Sequence, residues 1–394
     1  MVMESEKPHK KVRRTRSSKA TSLPVDLISE ILLRLPVKSA EKFRCVAKVW
    51  SSITTRPSFI TSFAARSNPH LIILCKNKAK SFFLSIPQIH DSDHKPQLVD
   101  SYVKETCSFE FPVSVHGMIC SISISSLVSE LTLQIWNPTM RGRTVTLPYP
   151  NKDWSGTTAF LGYDPIDGTY KVLSMPSNPR ARGDNQPRVL TLTGDHKESW
   201  RVIHEIAEHV PYSPRHYIIN GVMYYVASLK FDDTDNILVS FHVRSEKMSM
   251  IKVPWDQYYL SGAKIFPVLY HGKLACVTSQ ATDIIIWLLE DTEKHEWSYQ
   301  NFHLPFPTYD PISESCFHLK GVNDAGELIY LPNILVDPVH ILYYDPNTDS
   351  YRRVVVEGLA GDQFRRRNGI GDKVLLFTFS AYPNHMETLN LCLT

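Results

Sequence analysis

Several things are missing from this 394-residue chain, and each absence removes a class of protein. There is no G-x-x-x-x-G-K-[ST], no G-x-S-x-G and no G-x-G-x-x-G, so the phosphate cradle, the nucleophile elbow and the dinucleotide fold have no local signal. Seven cysteines (Cys45, Cys75, Cys107, Cys120, Cys276, Cys316, Cys392) are scattered, odd in number and never spaced C-x-x-C. That excludes a disulfide frame and a zinc ribbon and points to reduced thiols, as in cytosol or nucleus. No run approaches the ~20 apolar residues that span a bilayer. The N-terminus is polar and basic, which is not a secretory leader. His204-Glu205 with His209 imitates a zinc-protease pair, but five residues on a helix set two side chains about 140° apart. No cofactor, metal or catalytic residue is expected.

Charge is also nearly absent in sum, at a net +3. Residues 1–20 hold seven Lys or Arg against two Glu, a net of +5, which leaves about −2 for the rest. The body therefore offers nucleic acid no general attraction. Residues 1–20 read as a disordered basic arm, with Lys10–Lys19 a candidate nuclear import signal. The expected location is nucleus, cytoplasm or both.

Ser22 to Arg56 is the most informative stretch. Pro24 suits the start of a helix, and Asp26 and Glu30 favour its positive end. Leu27, Ile28, Ile31, Leu32 and Leu35 make a broad apolar face that ends at Pro36. Two further short helices follow, about Val37 to Arg44 and about Cys45 to Thr55, for three in all. So small a unit cannot bury these groups by itself, and part of its apolar face must meet another protein.

Leu23-Pro24, Asp26-Leu27, Glu30 to Ser39, Arg44-Cys45-Val46 and Lys48-x-Trp50 together resemble the F-box of plant proteins. The resemblance implies docking on the Skp adaptor of a cullin–RING ubiquitin ligase. By position, Leu23, Pro24, Leu27, Ile31, Leu32, Leu35, Pro36 and Val37 would face the adaptor, while Phe43, Val46 and Trp50 would fill the module's core. Ala40 stands where a larger Leu is usual and Ala47 where Ser is usual, which predicts a weakened adaptor contact. The helical module is expected over residues 21–66.

From His70 the pattern changes to short β-branched and aromatic runs broken by Gly, Pro, Asn and Asp. Six glycines (Gly117, Gly168, Gly221, Gly272, Gly326, Gly371) each precede such a run, at spacings of 51, 53, 51, 54 and 45. Strand–turn–strand segments follow 20 to 25 residues behind them, turning at Asn137-Pro138, Gly194-Asp195, Ser245-Glu246, Glu290-Asp291 and Asp345-Pro346. About fifty residues per four-stranded unit is the period of a β-propeller blade. The expected fold is thus multidomain: a small all-α F-box, then an all-β propeller of about six blades over residues 70–394. The short last unit, with strands at FTFS and TLNLCL, would join the unpaired first hairpin and close the ring.

Trp136-Asn137-Pro138 with Leu147-Pro148, and Gly162-Tyr163-Asp164-Pro165 with Tyr170-Lys171-Val172, resemble the F-box-associated domain that follows plant F-boxes. Paired kelch glycines are lacking. Two segments are candidate target-binding loops: Pro176–Arg188, with Arg180 and Arg182, and Gln363–Gly369, with Arg365, Arg366 and Arg367. The resemblance implies a non-catalytic substrate receptor with an unknown protein target and no membrane partner. The alternatives are a propeller protein or enzyme with no ligase attached, and a nucleic-acid-associated protein acting through the basic arm.

Overall fold

The structure is a computed structural model that describes residues 23–77, 80–88, 100–104, 109–124, 131–138, 144–154, 156–177, 184–192, 199–204, 208–229, 236–255, 265–280 and 282–389. The side chains of 100–104, 109–113, 123, 124 and 131 are not among them. The basic arm and Arg180 and Arg182 lie outside the described residues.

Four helices, not three, open the chain: α1 (Val25–Leu33), α2 (Val37–Phe43), α3 (Lys48–Thr54) and α4 (Pro57–Arg66). Prolines set three of the starts. Pro24 and Pro36 are the capping residues just before α1 and α2, and Pro57 is the first residue of α4. The helix absent from the sequence reading, α4, has a weak pattern because Ser and Thr separate its apolar residues. Its signal is Phe59 and Phe63 at i and i+4, both buried, with ring centroids 6.2 Å apart.

Residues 70 to 385 form six antiparallel sheets arranged as a propeller. In chain order the second to sixth blades occupy 109–147, 157–202, 210–252, 266–303 and 309–356. The first blade is shared between the two ends of this region: His70–Lys76, Ser81–Pro87 and Asp100–Lys104 are joined on the inside by Phe377–His385. The closing strand pairs antiparallel with the first, His70 opposite His385 and Lys76 opposite Phe377. That is the closure by both ends that the sequence implies, and it removes two strand edges.

Alternation along a strand explains why the blades read as unbroken apolar runs. Leu71, Ile73 and Cys75 pack toward the sixth blade, against Ile329, Leu331 and Ile341. Ile72 and Leu74 point the other way, toward Ile119 and Trp136 of the second blade. Every junction between neighbouring blades holds such a cluster. A strand buried on both faces leaves no polar stripe to read.

Five of the six periodic glycines turn the chain from the inner strand of a blade into the next strand out, with φ between 66° and 85°. Gly371 breaks the series. It lies in the loop before the closing strand, and the first blade needs no such turn because its inner strand comes from elsewhere in the chain. The basic segment before it is no loop either. It forms helix α5 (Asp362–Asn368), ended by Gly369 in the left-handed region and anchored by buried Phe364 against Phe82.

The tail after His385 also departs from expectation. The TLNLCL segment continues no blade as far as Leu389, where the described residues end. Instead Leu389 is fully buried in the helical module's core, with Leu32, Val37, Ala40, Ile53 and Phe63. Arg44 Nη2 donates to the Leu389 carbonyl at 2.7 Å and to the Thr54 carbonyl at 2.8 Å. On the propeller side, buried Asn137 donates to the Thr388 carbonyl at 2.8 Å. Gly117 is required there twice over: its φ is +81°, and a Cβ would press on Thr388 and come within 2.6 Å of the Met386 carbonyl.

Candidate docking face and central channel

Helix α1 presents Leu27 and Ile31 at i and i+4, and Leu23 precedes its capping Pro24; the module leaves all three uncovered. Leu23, Leu27 and Ile31 are each about half exposed, at 53%, 53% and 49%. Pro24 and Pro36 are exposed beside them, and Leu35 is half-buried. Leu32 and Val37, assigned by position to the same face, point inward and are 0% and 3% exposed. They are core residues, because the inner face of α1 and the start of α2 close over Ile53 and Phe59.

The core assignments divide the same way. Phe43 and Trp50 pack on each other with ring centroids 4.8 Å apart and border the cluster. Val46 does not join them. It lies in the turn ahead of α3 and is 64% exposed, close in sequence to exposed Val49. Glu30 fixes α1 to α4 by accepting from Arg34 at 3.1 Å and from Arg66 at 3.2 Å. Those two guanidinium groups, Arg66 first, lower its carboxyl pKa.

The three arginines of α5 have different roles. Arg365 is a clamp, its Nη1 donating to the carbonyls of Gly371 at 3.0 Å and Val374 at 2.9 Å, and its Nε to Ala360 at 2.9 Å. Arg366 and Arg367 are exposed. Sequence reading took all three as a target-binding loop, whereas Arg365 is committed to holding the turn before the closing strand.

The propeller axis holds a feature that sequence reasoning missed. The inner strands Val210–Ile219, Phe266–Tyr270, Ser315–Val322 and Phe377–His385 surround a cavity of about 120 Å³. Arg215 and Lys320 both line it. The Arg215 guanidinium lies 4.9 Å from the Phe266 ring centroid, and Lys320, itself 6% exposed, reaches the Thr378 carbonyl at 3.4 Å. Burial pushes the Arg215 pKa down. Tyr217 and Tyr382 share the wall; burial first, and the field of exposed Asp324 second, push Tyr217 up to about 12, and burial raises Tyr382 as well. A signal was present in the sequence: Lys320 interrupts the run Phe317–Val322, which is otherwise mostly apolar.

A helical module with an uncovered apolar row, tied to a ring-shaped scaffold, defines a two-part binding protein. Residues 21–62 match the F-box domain, and residues 70–386 match the F-box associated beta propeller domain. Relatives named as F-box proteins of Arabidopsis thaliana span nearly the whole chain. At1g47790 is 38% identical over 402 residues, covering 98% of this chain and 99% of its own. At1g48060 is 35% identical over 386 residues, covering 93% of each. The chain belongs to the F-box proteins that carry an F-box associated propeller. Likeness to solved structures is slight: the periplasmic gluconolactonase PpgL of Pseudomonas aeruginosa superposes with a TM-score of 0.39 at 10% identity, over 73% of this chain and 82% of that one.

Proposed function

We propose that the chain is the substrate-recognition subunit of a Skp-cullin-F-box ubiquitin ligase. The F-box docks on a Skp-type adaptor, and the propeller holds a target protein. The receptor itself is non-catalytic: it raises the effective concentration of a target lysine near a ubiquitin-charged enzyme, which needs no nucleophile of its own.

The observation that carries this reading is the row Leu23, Leu27 and Ile31. Two large apolar side chains on helix α1 and a third just before it, each about half exposed, await a partner. Covering their free halves would contribute roughly 1 kcal/mol each by area. That is enough for a few such anchors to govern affinity.

The test is capture of a purified Skp adaptor by the full chain, beside the double variant Leu27→Asp, Ile31→Asp. Both positions are exposed, so the fold should survive, to be checked by circular dichroism. Adaptor binding should fall at least about tenfold, each 1.4 kcal/mol of lost contact being one decade. Ile166→Asp, on an exposed propeller position, should bind as wild type does. A folded wild-type chain that ignores the adaptor, or a double variant that still binds fully, overturns the proposal.

A further inference from the structure

We propose that the face of the propeller opposite the helical module, where the sixth blade meets the first, docks an acidic segment of the target protein that carries a large apolar side chain. The inference deepens, and rests on, the reading that the propeller holds a target.

The closing strand fixes the geometry. Its His385 end leads into the tail that enters the helical core, and its Phe377 end lies about 26 Å away at the rise of an extended chain. Two loops meet at that far end. Lys80 Nζ reaches the Asn368 carbonyl of α5 at 3.1 Å, and Lys76 stands opposite Phe377 in the ladder. Among the described residues of 76–80 and 362–377, Lys76, Lys80, Arg365, Arg366, Arg367 and Lys373 stand against Asp362 and Asp372, a net of +4. The chain from residue 21 onward totals about −2, so this charge is concentrated here. Asp337, beside Gly361, already accepts the Gly358 N–H at 2.6 Å.

Beside the cations, Leu375 and Phe377 are about half exposed and Val374 is 39% exposed. They do not sit on a loose loop. Arg365 holds the carbonyls of Gly371 and Val374, the Leu335 N–H donates to the Leu376 carbonyl at 2.8 Å, and the Thr378 N–H donates to the Asn333 carbonyl at 2.7 Å. The fold gains nothing from showing three apolar side chains on a turn so anchored; an apolar centre with a charged rim on a rigid scaffold suits recognition. Charge selects the occupant: the exposed Arg366, Arg367 and Lys373 favour carboxylates, while the centre covers a side chain such as Leu or Phe. Nucleic acid fits less well, because its backbone would leave Val374 and Leu375 uncovered and Phe377 is the single exposed ring of the patch.

The experiment pans a displayed library of random peptides over the full-length chain. Enriched sequences should be acidic and contain Leu, Ile, Phe or Trp. Synthesised singly, they should bind wild type less tightly as sodium chloride rises. They should lose at least about tenfold in affinity with the double variant Arg366→Glu, Arg367→Glu, and likewise with Leu375→Ser, Phe377→Ser. All four positions are exposed, so both variants should fold, to be checked by circular dichroism and melting midpoint. Ile166→Asp should bind the peptides as wild type does. A chain that ignores the Skp adaptor yet binds these peptides overturns the ligase reading and leaves the site standing. A chain that enriches no acidic peptide, or whose peptides bind either double variant as tightly as wild type, overturns the site whatever the adaptor does. Preference for oligothymidine over the peptides, lost in the same variants, assigns the face to nucleic acid and overturns the proposal as well.

Discussion

His385 closes the last strand of the ring opposite His70, and its ring is 3% exposed. Its Nδ1 meets Ser114 Oγ at 2.8 Å, while Nε2 is buried with no hydrogen-bond partner among the described residues. Burial, and then the field of His70, push its pKa down to about 3. His70 and His216 are lowered by burial too. The folded chain thus keeps these imidazoles neutral, while the unfolded chain protonates them near the ordinary value of 6.5. Below that pH the unfolded state binds the extra protons, so stability falls as pH falls, by up to about 1.4 kcal/mol per pH unit for His385. The His385 contribution runs from about pH 6.5 down to about 3. His385→Asn should therefore make the decline of unfolding free energy between pH 6 and 4.5 shallower by about one proton's worth, measured by denaturant titration. An unchanged slope would show that this ring is not kept neutral.

At the scale of elements, the tail Met386–Leu389 decides how the helices are held. Ala40 is fully buried, so the loss of a larger side chain there falls on the core and not on the exposed docking row. The same core receives Leu389 from 349 positions away, so the four helices do not build it alone. Removing that side chain with Leu389→Ala should cost about 2 to 5 kcal/mol, as buried Leu truncations do. The expected result is faster amide exchange throughout α1 to α4 with the blade strands unchanged, and adaptor affinity reduced in proportion. Helices that exchange as in wild type would mean the tail is passive. None of this was legible in the sequence, where TLNLCL has the look of any strand. A long-range contact leaves no local trace, and Arg44 is merely one basic residue among many until its carbonyl partners are known. The helix begun after Pro24 and the five glycine turns were legible for the opposite reason: backbone geometry restricts the residue type on the spot.

For the whole molecule, the ring is legible from its period, and its closure follows from counting strands, since a first hairpin and a last strand left apart would expose two edges. The channel is not legible in that way, because Arg215 and Lys320 come from inner strands of different blades and meet only once the ring is closed. Closure and tail can be separated by length. A chain ending at 376 lacks the inner strand Phe377–His385, which leaves the His70–Lys76 strand unpaired on one side and bares Leu71 and Ile73. It should aggregate and run in the excluded volume of a sizing column. A chain ending at 385 keeps the ring but lacks Leu389; it should run as a monomer whose helices alone exchange rapidly. A chain ending at 389 should match the full-length protein in both readouts. A monomeric, native-like chain ending at 376 would refute closure by strand exchange between the two ends. Equal helix protection in chains ending at 385 and 389 would refute the clasp, so the two parts of the architecture stand or fall on different columns of one experiment.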